Sequence, residues 1–140
     1  MKITIIGAGN MGLAMANGLK LSGFEVSFAG RLSDRLEALK GEFEVEIIDQ
    51  NYDISDKNII LAIKPNALEW FVNLAKGRAN LIISVLARTS LEQIQAINAI
   101  NHAICLPNIA AKYQKSINPY IAIGDTNLVE KILNGFGKAV

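Results

Sequence analysis

Cysteine is almost missing from the chain: Cys105, set among apolar neighbours in HAICLPN, is the only one. One cysteine forms no internal disulfide, so a cross-linked scaffold is not expected, and the residue reads as a small buried hydrophobe. Histidine is equally scarce. His102 stands alone at the start of a predicted strand and reads as structural. No Ser-His-Asp or Cys-His arrangement and no ligand cluster for a metal can be assembled, so neither nucleophilic nor metal-assisted hydrolysis is expected. With only three prolines and no low-complexity run or internal repeat, there is no linker to divide the chain. No apolar run reaches the ~18 residues that a spanning helix needs. Charge of one sign is lacking too: fourteen basic against thirteen acidic residues leave +1, which argues against a nucleic-acid groove or an anionic membrane surface.

What the chain does have is a 51% apolar composition, eleven glycines and 140 residues, enough for one domain with a substantial core. The opening MKITIIGAGNMGLAMANGLKLSG admits two readings. Lys2, an apolar run and Ala14-Met15-Ala16 imitate a secretory signal. Gly7, Gly9, Asn10 and Gly12 interrupt that run where a signal would stay apolar, and each glycine inside a helix costs about 1 kcal/mol relative to alanine. A strand, a turn and a helix with Met11, Met15 and Leu19 on one face account for the pattern better, and a cytoplasmic location is expected.

The alternation continues. Strands are predicted over 2–7, 25–30, 43–48, 58–65, 81–87, 102–106 and 118–124. The run NIILAIKP is apolar enough to be buried on both faces. Helices are predicted from Asn10 to Leu21, from an N-cap at Ser33 through Leu36 and Leu39 to Gly41, and from Ala67 to Lys76. Ser90 and Gln93 form a capping box for another through Ile94 and Ile97, and a last helix runs from about Asn127 to Leu133. Strands separated by such helices imply right-handed crossovers and an α/β fold: a Rossmann-type, doubly wound, mostly parallel sheet with helices on both faces. The terminal GFGKAV reads as a helix stop and a strand beginning, which predicts that residues 1–140 are the amino-terminal part of a longer chain.

Gly7-Ala8-Gly9-Asn10-Met11-Gly12 matches GxGxxG between a predicted strand and helix. Gly7 permits the tight turn, Gly9 lets the backbone approach a pyrophosphate, and Gly12 brings helix and sheet together. The helix start contributes free N–H groups. Where an NAD site usually carries an acidic residue for the ribose 2′-hydroxyl, this chain has Ala29 and Gly30, followed by Arg31 and Ser33. A guanidinium and a hydroxyl suit a 2′-phosphate, so NADP(H) is expected over NAD(H). Arg35 reads as a solvated helix charge.

GAGNMG, LAIKP, SVLARTSLEQIQ and the later LPN together resemble pyrroline-5-carboxylate reductase, over essentially the whole chain as that family's amino-terminal domain. The resemblance implies reduction of the ring imine of 1-pyrroline-5-carboxylate to proline with a nicotinamide dinucleotide. It places Ala62, Ile63, Lys64 and Pro65 beside the cofactor's ribose and nicotinamide, with Ser84 to Ala87 on the next strand. It also points to Asn51 at the adenine-side ribose and to Asn108 near the substrate. No catalytic side chain is identified in this chain. Lys64 also reads as a charged strand end before proline.

The chain departs from the family pattern at Arg88, where glycine is usual, and at Ile109 and Ala110, where threonine and proline are usual. The family's second, helical domain, which forms the dimer and holds the substrate carboxylate, does not occur within residues 1–140. The expectation is therefore half an active site, inactive alone, in a protein that forms a homodimer or larger homo-oligomer. Two alternatives stay open: an NADP-linked dehydrogenase of the hydroxyacid type, and a nucleotide-sensing module without catalysis.

Overall fold

A computed structural model describes residues 1–140. The strands β1 (Lys2–Ile6), β2 (Glu25–Gly30), β3 (Glu44–Ile47), β5 (Asn58–Leu61), β7 (Ala79–Ser84), β8 (Ala99–Cys105) and β10 (Tyr120–Ile123) build one sheet in the order β10-β8-β7-β5-β1-β2-β3. All pairings are parallel except β10 on β8, which is antiparallel. The strand order reverses at β1 and β5, the place where a parallel sheet opens a crevice beyond its carboxyl ends.

Alternation along each central strand feeds two cores. Ile3, Ile5, Ile60, Leu81 and Ile83 meet Met15 and Leu19 of α1 (Asn10–Leu21) and Val129 and Ile132 of α5 (Thr126–Leu133). Ile6, Ile59, Leu61 and Ile82, one residue out of phase, meet Phe71 and Leu74 of α3 (Leu68–Leu74) and Ile97 beyond α4 (Leu91–Ile94). Period two in the strands and burial on both faces produce the helix-covered sheet that the alternation predicts.

Several boundaries differ from expectation for local reasons. The strand predicted over 58–65 stops at Leu61, and Ala62 to Lys64 leave the sheet before Pro65 opens a 3-10 turn through Ala67. The helix predicted to Lys76 ends at Leu74, because Ala75–Lys76 becomes a short strand, β6, paired with β4 (Tyr52–Asp53). Gly77, at φ +88°, turns the chain there against Ser55. The Ser33 cap is present, its hydroxyl accepting from the Leu36 amide at 3.1 Å, but α2 (Asp34–Glu37) is a single turn. The Ser90–Gln93 capping box is fully formed. The terminal run does make a strand: β11 (Gly137–Ala139) pairs in parallel with β9 (Ser116–Asn118), which periodicity did not reveal.

Candidate functional site

Beyond the carboxyl ends of β1, β2 and β5 lies a cavity of about 430 Å³, within the span of small-molecule sites, roughly 300–1,000 Å³. The turn after β1 forms its floor. Gly7 sits at φ +108°, and a Cβ there would lie 2.6 Å from the Ala62 carbonyl oxygen. Its amide donates to the Ala29 carbonyl at 3.0 Å, which ties the turn to β2. Gly9 is different: a Cβ built on it meets nothing within 4 Å. Lack of space in the fold is therefore not the reason for glycine at position 9, whereas a ligand lying on the turn would need that space.

Gly9 is also the N-cap of α1, with no side-chain cap and no acidic residue in the first turn. The first amides of this twelve-residue helix are thus left for another acceptor. Gly12 faces the Gly7 carbonyl and Ala62, which lets α1 approach the sheet.

The walls come from two loops on opposite sides of β1. After β2 stand Gly30, Arg31, Ser33 and Arg35; after β5 stand Ala62, Ile63, Lys64, Asn66, Ala67 and Trp70. The Arg31 guanidinium lies over the Trp70 ring, 4.1 Å from its centroid, so the two loops touch across the β1 turn. The ionisable side chains on the cavity are Arg31, Arg35 and Lys64; no carboxylate lines it. An anionic ligand fits this donor set, and a cationic one does not. Shifted titration is found away from the cavity. Burial, and then the charges of Glu46 and Asp53, push the Tyr52 phenol up; hydrogen bonds from Ser55 hold the Asp53 carboxyl below the usual range.

Eight residues singled out in the sequence line this cavity together: Gly7, Ala8, Gly9, Arg31, Ser33, Ala62, Ile63 and Lys64. Asn10, Met11 and Gly12, at the start of α1, and Pro65, which opens the 3-10 turn, flank the cavity without forming its wall. Asn10 accepts at Oδ1 from the Arg35 guanidinium at 2.5 Å. Arg35 remains an exposed charge on α2, as expected, and this contact holds it beside the cavity it lines. Asn51, Ala87 and Asn108 do not line it. Asn108 instead caps the 3-10 turn Ile109–Tyr113, its Oδ1 accepting from the Ala110 amide at 3.0 Å.

Trp70 escaped sequence reasoning. One signal pointed to it: Leu68, Phe71, Val72 and Ala75 share the predicted buried face, and the chain's only tryptophan falls off that face just after LAIKP. Arg88 adopts φ 55°, a left-handed conformation that favours glycine, the residue the resemblance leads one to expect there.

Known proteins place this architecture. Pyrroline-5-carboxylate reductase of Helicobacter pylori is 28% identical over 148 aligned positions, covering 94% of this chain and 57% of the relative. The structure of 1-pyrroline-5-carboxylate reductase from Streptococcus pyogenes superposes with a TM-score of 0.81 at 25% identity, over 100% of this chain and 57% of that one. The Plasmodium falciparum pyrroline carboxylate reductase, solved with NADP bound, has the same fold: TM-score 0.74 at 17% identity, over 100% of this chain and 56% of that one. The chain thus spans little more than half the length of the relatives it resembles. The model of the family described as NADP oxidoreductase, coenzyme F420-dependent, matches residues 2–88, a stretch that contains every residue lining the cavity, and the chain belongs to that family.

Proposed function

We propose that this chain forms the cofactor half of a pyrroline-5-carboxylate reductase and takes NADPH in preference to NADH. The observation that carries the reading is the cavity itself, where an open Gly9, an uncapped helix start and three cations converge with no carboxylate. In this reading the α1 amides and the Gly9 backbone hold the pyrophosphate. Arg31 and Ser33 hold the 2′-phosphate, with Arg35 beside them. Ser33 is suited to this because its oxygen already accepts from Leu36, which leaves its proton to donate. Ala62, Ile63 and Lys64 line the path toward the nicotinamide ribose. When bound, the nicotinamide would supply a hydride to the imine carbon. The protein's contribution is orientation and electrostatics, which hydride transfer chiefly requires.

The same reading makes the substrate a small cyclic imine, the protein a homo-oligomer and its compartment the cytoplasm. Support comes from the similarity to pyrroline-5-carboxylate reductases along the whole chain. The test is oxidation of NADPH by the natural gene product on addition of pyrroline-5-carboxylate. Turnover is expected. A folded protein that binds NADPH yet shows no turnover overturns the reductase reading and leaves a nucleotide-binding module.

A further inference from the structure

We propose that Trp70 sets the cofactor specificity of this site by positioning Arg31. Resting on the dinucleotide reading above, the inference adds a residue and a mechanism to it.

Arg31 follows β2 and Trp70 belongs to α3, behind β5; β2 and β5 pair with β1 on its two sides. The guanidinium-to-indole contact at 4.1 Å therefore spans the glycine turn instead of linking neighbours in sequence. Arg31 is otherwise exposed and makes no hydrogen bond or ion pair with another side chain. Stacking engages the face of a guanidinium and leaves its N–H edge free, and that edge is what recognises a phosphate in forked geometry. An unanchored arginine would have to be immobilised when the ligand binds, whereas a stacked one is already oriented.

Trp70 packs against the core that holds Phe71 and Leu74 but is not itself buried in it. Phe71 and Leu74 are the buried anchors of α3, while Trp70 is only half-buried, with its indole on the cavity wall. Arg35 is oriented similarly, by Asn10 Oδ1. Two guanidinium groups are thus held by separate partners, with the Ser33 hydroxyl between them in sequence. The ligand group this arrangement fits is a phosphate monoester on the ribose of the adenine end.

The experiment is calorimetric titration of the 140-residue chain with NADPH and with NADH, using wild type, Trp70→Ala, Trp70→Phe, Arg31→Ala and the Trp70→Ala/Arg31→Ala pair. Thermal melting of each variant confirms that it is folded. Trp70→Ala should weaken NADPH binding about three- to tenfold and NADH binding less than twofold. Trp70→Phe should restore most of the difference, since a ring face remains. In the Arg31→Ala background, removing Trp70 should change neither affinity further, because the two residues act as one unit.

Equal losses for NADPH and NADH, or a Trp70 effect that persists without Arg31, would overturn the proposal while leaving the dinucleotide reading intact. A folded wild-type chain that binds neither dinucleotide overturns both. The lone tryptophan gives an independent check. Its emission should change when adenosine 2′-phosphate is added and stay unchanged with adenosine. A response to adenosine alone would place the base, not the phosphate, against the stack and count against the positioning role.

Discussion

The two halves of the sheet's carboxyl edge contrast sharply. At β1, β2 and β5 the loops close on a cavity with glycine beneath and three cations around it. At β8 and β10 the corresponding surface is apolar and open, with Leu106, Ile109 and Ile121 all more than half exposed. Ala87, assigned by resemblance to the cofactor and lying beyond β7, and Asn108, assigned near the substrate and lying beyond β8, share no cavity with the first half. One half is organised by its own residues to receive a phosphate-bearing ligand; the other shows no comparable convergence. The contrast explains why cofactor binding can be argued from geometry here, while the substrate rests on similarity to longer relatives.

The largest expected break in this contrast is Gly7→Val. With φ +108° and a carbonyl oxygen 2.6 Å from the new Cβ, the substitution should destabilise the chain by about 3 kcal/mol or more, read as a urea midpoint. Arg31→Ala strikes the same half without touching the fold. It should weaken NADPH binding roughly 10- to 100-fold and NADH binding far less; equal losses would sink the 2′-phosphate assignment. Gly9→Ser separates the two demands on the turn. The new hydroxyl can cap α1, so stability should hold or rise by a few tenths of a kcal/mol, while NADPH affinity falls about tenfold.

The smallest effect is expected in the far half. Burial pushes the Cys105 thiol from 9.0 up to about 12. A folded-state value above the unfolded one means that its contribution is fully present below pH 9.0 and is lost as pH rises toward 12. Stability should therefore drop by about 1 kcal/mol between pH 9 and 10. Urea melts of Cys105→Ala over the same range should lack that part of the drop. If they fall as steeply as wild type, the thiol is not the group responsible.

Much of this was legible beforehand, because it rests on local chemistry. α1 and β2 have the predicted limits since glycine and polar residues punctuate their apolar periodicity on both sides. The Ser33 and Ser90 caps were readable from single side chains. Eight cavity residues followed from strand-end motifs. The rest depended on contacts distant in sequence. Ala75–Lys76 leaves its helix only because Tyr52–Asp53 is there to pair with it. β9 finds β11 after an intervening helix. Arg35 meets Asn10 across α1 and β2, and Trp70 meets Arg31 across α2 and the strands β3, β4 and β5. Periodicity cannot report such partners, since it measures which face is buried and not what lies opposite.

The two glycines of the β1 turn carry a different kind of record. Position 7 is closed to side chains by the protein's own backbone, and position 9 only by whatever lies upon it. In a lineage that kept this fold but abandoned its ligand, selection would continue to hold the first and release the second to drift. Glycine 9 is therefore the residue whose persistence among descendants would testify to use, and glycine 7 the one whose persistence would testify merely to folding.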